Sequence, residues 1–395
     1  MADISIIYNS TRKGTPLLLE TEKHCRYSGK SVIIYNKTDK ERITMHERIK
    51  NKISLLKELI KKDKFDGLLI TNNIDQFYLL DFYFYPGEAV LLLHENGLLC
   101  FTRELYVAPL SEKYPFLQVV GRDKQMAAAA VEYAGKLELK RVGFDAAKEG
   151  YLSGSLFKAT GCIEAQSYIS LLRQVKDEHE ISVLRESCKI AYDTYEYIRP
   201  LLRVGMSEFE VAAEMEKYMR IRGASATSFL TIIAFGENTA NAHHETSHRK
   251  LKENEAVLMD FGCIYKGYCS DITRCWWFGD NEPEEYKKIW ATVNRAWKAG
   301  IAAEKPGARC QQIDATARGI ITAAGYGEYF THRLGHGVGL EIHEEPCNDQ
   351  TSIAVLQKGN VVTVEPGIYL PGKYGVRLEE TTVITDTGAE ILTKK

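Results

Sequence analysis

Four carboxylates and one histidine in the C-terminal half of the sequence have the types and setting of a metal site. They are Asp260, Asp271, His336, Glu365 and Glu379. Three of the carboxylates lie in segments otherwise patterned as strands, AVLMDFG, YCSDITRCWWFG and YGVRLEETTVI. An ionised carboxylate buried in an apolar strand costs several kcal/mol unless positive charge compensates it. A pair of divalent cations would supply that charge, and water bound to such ions is a hydrolytic nucleophile at neutral pH.

The first two aspartates are predicted to share a β-hairpin. Residues 256–263 and 268–278 have strand patterns, and residues 265–267 form the turn between them. In a hairpin of this length Asp260 and Asp271 can face each other on one side of the sheet. Facing carboxylates repel each other, and a shared cation converts that repulsion into chelation.

The histidine and the third carboxylate lie in glycine-containing turns. His336 belongs to HRLGHGVGLEIHEEP, where the neighbouring glycines leave room for a ligand to approach and where His332 and His343 also occur. Glu365 closes the apolar run VVTVE directly before a Pro-Gly turn, so it is placed to project into a cleft. Each residue alone is equally compatible with a solvated turn, whereas the set together favours a site.

Arg377 precedes Glu379 by two residues, so on a continuous strand the two side chains would share one face. Arg377 is then predicted to orient the Glu379 carboxylate as a ligand. The alternative is an exposed salt bridge on an edge strand. Four carboxylates and one imidazole favour Mn²⁺, leave Co²⁺, Zn²⁺ or Fe²⁺ open, and argue against a thiolate-type zinc or copper site.

The composition is that of an ordinary globular protein and restricts its partners. The 395 residues include 51 basic and 53 acidic side chains, well mixed, and 45% hydrophobic residues. That balance predicts neither nucleic acid nor an anionic membrane as a partner. No apolar run reaches the roughly 18 residues of a membrane span, and no signal-peptide pattern opens the sequence. Nine cysteines without a Cys-x-x-Cys pair favour the reducing cytoplasm.

Hydrophobic periodicity predicts two domains after an extension of uncertain nature at residues 1–44. Residues 45–170 mix short strands with helices and are interpreted as an α/β domain. Residues 175–395 are interpreted as an α+β domain, in which long helices lie outside a strongly stranded core. Its predicted helices begin near Ile181, at the capping box Ser207–Glu210, and at about 284 and 309.

The ordered motifs resemble those of the pita-bread metallopeptidases, specifically the prolidase and aminopeptidase P branch. The matching segments are LLRQVKDEHEI, FGENTANAHH, MDFG, YCSDITR, HRLGHGVGLEIHE, VEPGIY and YGVRLEET. The resemblance covers roughly residues 45–395 and is strongest from Leu172 onward. It implies a C-terminal pita-bread catalytic domain, an N-terminal creatinase-like α/β domain and a homodimer.

The resemblance also implies a role for each ligand. Asp260 would bind one metal ion, Asp271 and Glu379 would bridge two ions, and His336 and Glu365 would bind the second. In the family, a hydroxide between the ions attacks the scissile carbonyl, and Glu365 would be the proton shuttle. The implied cofactors are two divalent ions, with Mn²⁺ favoured.

Further histidines match family positions that contact the substrate. His243 and His343 would be catalytic residues that hold the substrate and donate to the developing oxyanion. His332 would lie near the proline end of the substrate. The sequence departs from the family pattern beside His243, where Asn-Ala replaces the usual Leu-Pro and His244 follows directly. His244 could therefore take the place of His243.

The implied function is hydrolysis of Xaa-Pro bonds, with a prolidase acting on dipeptides favoured and an aminopeptidase P acting on longer peptides as the alternative. Because all five ligands are retained, a metal-free creatinase-like enzyme and an inactive binding module on this fold are disfavoured. Methionine aminopeptidase is disfavoured because it typically lacks a domain like that at residues 45–170. Phe229, Tyr265 or Tyr374 could form the proline pocket.

Overall fold

The structure is a computed structural model that describes residues 24–27, 30–33, 37–123 and 125–394. Two compact units divide between Tyr168 and Ile169. Most of the predicted extension, residues 1–23, lies outside the described residues. Within the rest of it, β1 (His24–Tyr27) pairs antiparallel with β2 (Lys30–Ile33), and α1 (Lys37–Lys62) begins eight residues before Met45. The predicted domain limits stay a prediction.

The N-terminal unit is built on one mixed sheet of six strands. Its strands are β3 (Gly67–Ile70), β4 (Ala89–His94), β5 (Gly97–Thr102), β6 (Gln118–Gly121), β7 (Val142–Asp145) and β8 (Ile163–Ala165), in the spatial order β6-β5-β4-β3-β7-β8. Its other helices are α2 (Asn73–Leu80), α3 (Glu104–Lys113), α4 (Met126–Lys136) and α5 (Tyr151–Ala159). Every residue of β4 is buried, which explains its continuous apolar pattern. The predicted α/β class is confirmed.

The C-terminal unit combines five helices with short strands in four small sheets. The helices are α6 (Tyr168–Gln174), α7 (Glu178–Ile198), α8 (Glu208–Ile221), α9 (Glu284–Ala303) and α10 (Cys310–Ala323). The strands are β9 (Ala226–Thr227), β10 (Ile232–Phe235), β11 (Glu255–Phe261), β12 (Cys263–Tyr265), β13 (Tyr268–Cys269), β14 (Ile272–Phe278), β15 (Gly335–Gly337), β16 (Glu344–Asn348), β17 (Val361–Val364), β18 (Gly367–Leu370), β19 (Tyr374–Arg377), β20 (Glu380–Ile384) and β21 (Ala389–Ile391). Their orders are β10-β11-β14, β13-β12-β9, β16-β15-β17-β20-β21 and β18-β19.

Strand β11 separates two hydrophobic cores by its period-two alternation. Ala256 and Leu258 belong to the core that α9 and α10 cover, whereas Val257 and Met259 belong to the core beneath α7 and α8. Asp260 continues the face of Ala256 and Leu258. The strand therefore delivers one carboxylate to the end of a face that is otherwise fully apolar.

Local sequence signals fix the helices that support this sheet. Asp177 with Glu180 forms a complete capping box at the start of α7, and Ser207 with Glu210 forms the one predicted at the start of α8. Helix α9 approaches β17 closely at Gly300, where an added Cβ would lie 2.8 Å from a Val364 methyl group. These contacts set the position of the strand end that leads to Glu365.

Eight cysteines of the described part of the chain are free, and seven of them are buried. Among the described helices, none combines the length and the apolar character needed to cross a membrane.

Candidate metal centre

Three of the predicted ligands converge in the C-terminal unit. Asp271, His336 and Glu379 are buried, and each offers one ligand atom within 4.8 Å of the other two. Asp260 and Glu365 line the same cavity, which has a volume of about 1100 Å³. The structure thus brings all five residues, which span 120 positions of sequence from 260 to 379, to the wall of one cavity.

The sequence suggested that the two aspartates face each other across the hairpin. In the structure they lie diagonally across it and not directly opposite each other. Asp260 pairs with Thr273, and the ladder of β11 and β14 ends before Asp271 is reached. At the break between β11 and β12 the backbone of Gly262 passes so close to Ser270 that an added Cβ would lie 1.8 Å from the Ser270 carbonyl oxygen. Diagonal residues two apart share a face of the sheet. The aspartates are still close enough for the Asp260 charge to raise the pKa of Asp271, after the larger effect of burial.

His336 presents one ring nitrogen to the carboxylates. Its Nδ1 lies 3.0 Å from the Gly337 carbonyl oxygen, so Nδ1 must carry the proton and Nε2 keeps its lone pair. Nε2 is 3.5 Å from Asp271 Oδ2 and 3.4 Å from Glu365 Oε1. Burial, with a smaller effect of His343, lowers the pKa of His336 to about 3. A neutral imidazole with this tautomer is the form that binds metal ions.

Glu365 follows β17 and faces the cavity beside His336. Burial raises its pKa to about 8, although the positive charge of Arg377 acts in the opposite direction. Thr363 Oγ1 lies 3.4 Å from Glu365 Oε1 and also accepts a hydrogen bond from the His336 backbone N–H at 3.1 Å. One threonine on β17 therefore contacts both neighbouring ligand candidates.

Arg377 orients a different carboxylate from the one predicted. Its guanidinium forms an ion pair with Asp260 and reaches Glu379 only through Thr273, which accepts from Nε at 3.1 Å and donates to Glu379 Oε2 at 2.7 Å. The assumption of a continuous strand was wrong, because β19 ends at Arg377 and β20 begins at Glu380. Residues on either side of such a break do not alternate in the regular way.

His332 lines the cavity with both ring nitrogens engaged. Nδ1 lies 2.7 Å from the Arg333 carbonyl oxygen, which fixes the proton on Nδ1. Nε2 then accepts from the Tyr369 hydroxyl at 2.9 Å, and that hydroxyl accepts from Arg377 Nη1 at 2.7 Å. Burial and the Arg377 charge lower the pKa of His332 to about 3. Neither ring nitrogen of His332 is therefore available for a hydrogen bond to a substrate.

The other two predicted histidines also border the cavity. The His343 ring packs edge-on against the His336 ring at 4.3 Å between centroids, and burial lowers its pKa. The His243 ring lines the cavity without a hydrogen bond to any described residue. His244, which the sequence left as an alternative, is bound instead to the buried Glu208 carboxylate at 2.8 Å. This contact leaves His243 as the freer of the two imidazoles.

Comparison with known proteins agrees with this geometry. Residues 182–386 match the model of metallopeptidase family M24, and residues 52–175 match the creatinase/prolidase N-terminal domain. The chain is 36% identical over 347 residues to the uncharacterized peptidase YqhT of Bacillus subtilis, and the match covers 87% of this chain and 97% of that protein. This chain belongs to metallopeptidase family M24. The predicted family and fold class are therefore confirmed, and membership in M24 identifies the protein as a metal-dependent peptidase.

Solved structures of similar proteins have the same fold as this M24 chain. An Xaa-Pro dipeptidase from Bacillus anthracis has a TM-score of 0.84 and 35% identity, covering 88% of this chain and 98% of its own. An X-Pro aminopeptidase from Thermotoga maritima has a TM-score of 0.77 and 30% identity, covering 84% of this chain and 96% of its own. The two relatives differ in the substrates that their names state, so similarity alone leaves specificity within the M24 family open.

The side chains of this M24 member fit divalent metal ions. Among the described residues, Asp260 Oδ1, Asp271 Oδ1 and Glu379 Oε1 are buried acceptors without a hydrogen-bond partner. Burial and neighbouring carboxylates raise the pKa of Asp271 and of Glu379 well above the ordinary range. Arg377, whose charge is shared with Asp260, leaves most of this negative charge uncompensated. Bound cations would satisfy the three oxygens and stabilise the ionised carboxylates.

Two further residues complete the site of this M24 chain, and the sequence did not identify either of them. Tyr369 connects His332 to Arg377, and its position in VEPGIYL beside Glu365 was an available signal. Glu208 binds His244 from the first turn of α8, where an acidic residue is explained by the helix terminus alone. Of the aromatic residues considered for the proline pocket, Phe229 lines the cavity, whereas Tyr265 and Tyr374 are not among the residues that line it.

Proposed function

We propose that the protein is a two-metal exopeptidase that hydrolyses Xaa-Pro bonds, and that it is a prolidase acting on dipeptides. The observation that carries the proposal is the set of unpartnered carboxylate oxygens around a neutral imidazole at the wall of one cavity. Four carboxylates and a metal-binding tautomer of histidine are donors that suit a pair of divalent ions, and such a pair supports hydrolysis. The similarity to an Xaa-Pro dipeptidase supports the choice of substrate.

The proposed ligands of two divalent ions are Asp260, Asp271, His336, Glu365 and Glu379, with Arg377 holding Asp260 in place. Because most donors are oxygen atoms, Mn²⁺ is the favoured metal, and Co²⁺, Zn²⁺ or Fe²⁺ are alternatives. Such ions, when bound, supply water activation and polarisation of the substrate carbonyl.

The remaining chemistry is proposed for the side chains of this chain. Glu365 accepts the proton of the attacking water and delivers it to the proline nitrogen that leaves. His243 and His343 face the cavity, so their ring N–H groups would donate to the oxyanion that develops on the carbonyl. His332 and Phe229 would form the wall against the proline ring, which lacks an N–H and so is recognised by shape.

The alternative is an Xaa-Pro aminopeptidase that accepts longer peptides. The cavity volume of about 1100 Å³ favours this alternative, since it is slightly larger than the usual small-molecule pocket of roughly 300–1,000 Å³. The similarity to the Thermotoga maritima enzyme supports it as well.

Steady-state assays of the Mn²⁺-loaded protein on Ala-Pro and on a longer Xaa-Pro peptide test both levels of the proposal. A prolidase cleaves Ala-Pro at least about tenfold more efficiently than the longer peptide. Comparable efficiency on both substrates identifies the aminopeptidase. Failure to cleave either substrate contradicts the Xaa-Pro assignment itself.

We also propose that the protein is a homodimer and that it works in the reducing cytoplasm. The free cysteines of the described chain support a reducing compartment. Light scattering on the purified protein tests the dimer, and a monomeric mass at micromolar concentration contradicts it.

A further inference from the structure

Glu208 is a completely buried carboxylate that lies outside the proposed ligand set. It occupies the first turn of α8, and its side chain has no exposed surface. Oε1 accepts from the Phe235 backbone N–H at 2.9 Å and from Asn238 Nδ2 at 2.8 Å. Oε2 accepts from the Ser247 backbone N–H at 2.9 Å and the Ser247 hydroxyl at 2.6 Å, and lies 2.8 Å from His244 Nε2. One side chain thus makes five hydrogen bonds.

These partners enclose a single stretch of chain, residues 236–247, which we call the histidine segment. It leaves the end of β10 and carries five consecutive residues that line the cavity, from Ala242 to Thr246. Phe235 immediately precedes the segment and Asn238 lies near its start, whereas His244 and Ser247 lie at its end. Glu208 therefore binds both ends of the segment that presents His243.

The electrostatics of Glu208 are those of a stable carboxylate. Burial alone would raise its pKa, but the hydrogen bonds from Ser247, His244, Asn238 and Phe235 together hold the pKa below its ordinary value. An ionised Glu208 is an acceptor only. In its hydrogen bond with the His244 imidazole, the hydrogen must therefore lie on His244 Nε2. The carboxylate therefore fixes the orientation of the His244 ring as well as the backbone around it.

We propose that Glu208 is a positioning residue for the reaction: it holds the histidine segment so that His243 faces the substrate carbonyl. The catalytic part of this inference rests on the proposed function. No proposed metal ligand belongs to the segment, and its one contact with their support is the Ala242 carbonyl, which accepts from Arg377 Nη1 at 3.2 Å. We therefore expect Glu208 to act mainly on the transition state and to change metal binding little. An error of about 1 Å in the place of a catalytic group can lower a rate about a hundredfold.

The geometry requires a carboxylate and excludes its amide. Each oxygen of Glu208 receives a backbone N–H, from Phe235 on one side and from Ser247 on the other. The amide nitrogen of a glutamine would oppose one of these fixed donors in either orientation. Glu208→Gln is therefore expected to release one end of the histidine segment although it has nearly the same size.

Glu210→Gln is a matched control on the same helix turn. Glu210 completes the capping box by accepting from the Ser207 backbone N–H at 2.7 Å, and it makes no hydrogen bond to the histidine segment. Both variants remove one negative charge from the N-terminus of α8. Only Glu208→Gln changes the contacts of His244 and Ser247.

The experiment compares the two variants with the wild type in metal content, kcat, KM on the best Xaa-Pro substrate, and amide hydrogen exchange. We expect Glu208→Gln to keep its metal content and its KM within about twofold, to lose about a hundredfold in kcat, and to exchange the amides of the histidine segment at least tenfold faster. Glu210→Gln should match the wild type in kcat and in exchange of that segment. Ser247→Ala removes one of the five donors to Glu208, together with the acceptor of the Arg249 backbone N–H. It should show the same two effects at smaller size, and it replaces Glu208→Gln in the test if that variant does not fold.

Equal kcat and equal exchange in Glu208→Gln and Glu210→Gln overturn the proposal. A loss of metal in proportion to the loss of activity also overturns it, because it assigns Glu208 a purely structural role. If the wild type cleaves no Xaa-Pro substrate, the proposed function fails separately, and the exchange rates alone decide whether Glu208 orders the segment.

Discussion

Asp271 and Glu208 are both buried carboxylates of the C-terminal unit, yet their oxygens have opposite surroundings. Glu208 accepts five hydrogen bonds and has a lowered pKa. Asp271 has one buried oxygen without any partner among the described residues, and burial with the charge of Glu379 raises its pKa. Burial of a carboxylate therefore does not by itself indicate a metal site. Support for the proposed metal site comes from unfilled acceptor oxygens that lie beside other carboxylates.

Glu304 is a third case that lies between these two. It is buried away from the proposed ligands, where it contacts Thr382 Oγ1 at 2.7 Å and Asn348 Nδ2 at 3.2 Å. Burial raises its pKa to about 8 because these neutral donors compensate only part of the charge. The buried charge of Glu304 is neutralised by a proton, whereas the charge of Glu208 is stabilised by fixed hydrogen-bond donors. For Asp271 the proposed compensation is a bound cation.

The largest effect is expected from removing a carboxylate with unfilled acceptors. Asp271→Ala and Glu379→Ala should each lower the metal content to below one ion per chain and kcat/KM by at least about a thousandfold, since each removes a proposed bridge between two ions. Elemental analysis and steady-state kinetics measure both. Either variant with wild-type metal content and turnover would show that the role assigned to that residue is wrong.

A smaller loss is expected when the support of a ligand is removed. Arg377→Met eliminates the ion pair with Asp260 and the hydrogen bond to Thr273 but retains all five proposed ligands. Supporting residues of this kind typically contribute about 10- to 100-fold to metal affinity. Competition with a coloured chelator measures the change. Unchanged affinity would mean that Asp260 needs no orientation by Arg377.

Metal loading is expected to release protons near neutral pH. Without metal, Glu365 has a pKa of about 8 and is largely protonated at pH 7, and the pKa of Asp271 and of Glu379 is raised as well. Cations bind the ionised carboxylates and so displace these protons. Calorimetry in buffers of different ionisation enthalpy should give about one proton or more per chain. Enthalpies that do not depend on the buffer would contradict the raised pKa values.

The smallest effect is a change in the pH dependence of stability from Glu304→Gln. The pKa of Glu304 is about 8 in the folded chain and is near its ordinary value of 4.5 in the unfolded chain. Its contribution to stability is therefore complete below pH 4.5 and is lost as the pH rises toward 8. The variant should gain in Tm relative to wild type as the pH rises from 5 to 8, by about 2–4 °C for each kcal/mol of stability that the wild type loses. A constant difference across that range would place the Glu304 pKa near its ordinary value.

The sequence singled out the five carboxylate and imidazole residues because each interrupts an otherwise apolar or glycine-rich pattern. The structure brings them to one cavity, and their role as metal ligands stays a prediction. It failed where the answer depended on where strands end. Arg377 was assigned to Glu379 because a continuous strand was assumed, and the break at residues 378–379 turns Arg377 toward Asp260. The capping box at Ser207 was predicted correctly, since both of its partners are local.

Glu208 could not be identified from sequence for the same physical reason. Its partners lie 27 to 39 residues away in the chain and meet it only through the packing of α8 against β10 and the histidine segment. An acidic residue in the first turn of a helix is already favoured by the helix dipole, so its presence gave no further signal. Its full set of hydrogen bonds is a tertiary property.

Anomalous diffraction from crystals of the Mn²⁺-loaded protein tests most directly the claim that the unfilled carboxylate oxygens mark the metal centre. We expect two peaks in the cavity, in contact with Asp260 Oδ1, Asp271 Oδ1 and Glu379 Oε1, and no peak at Glu208 or Glu304. No peak in this cavity at saturating Mn²⁺, or peaks that leave these three oxygens without a ligand, would contradict the account.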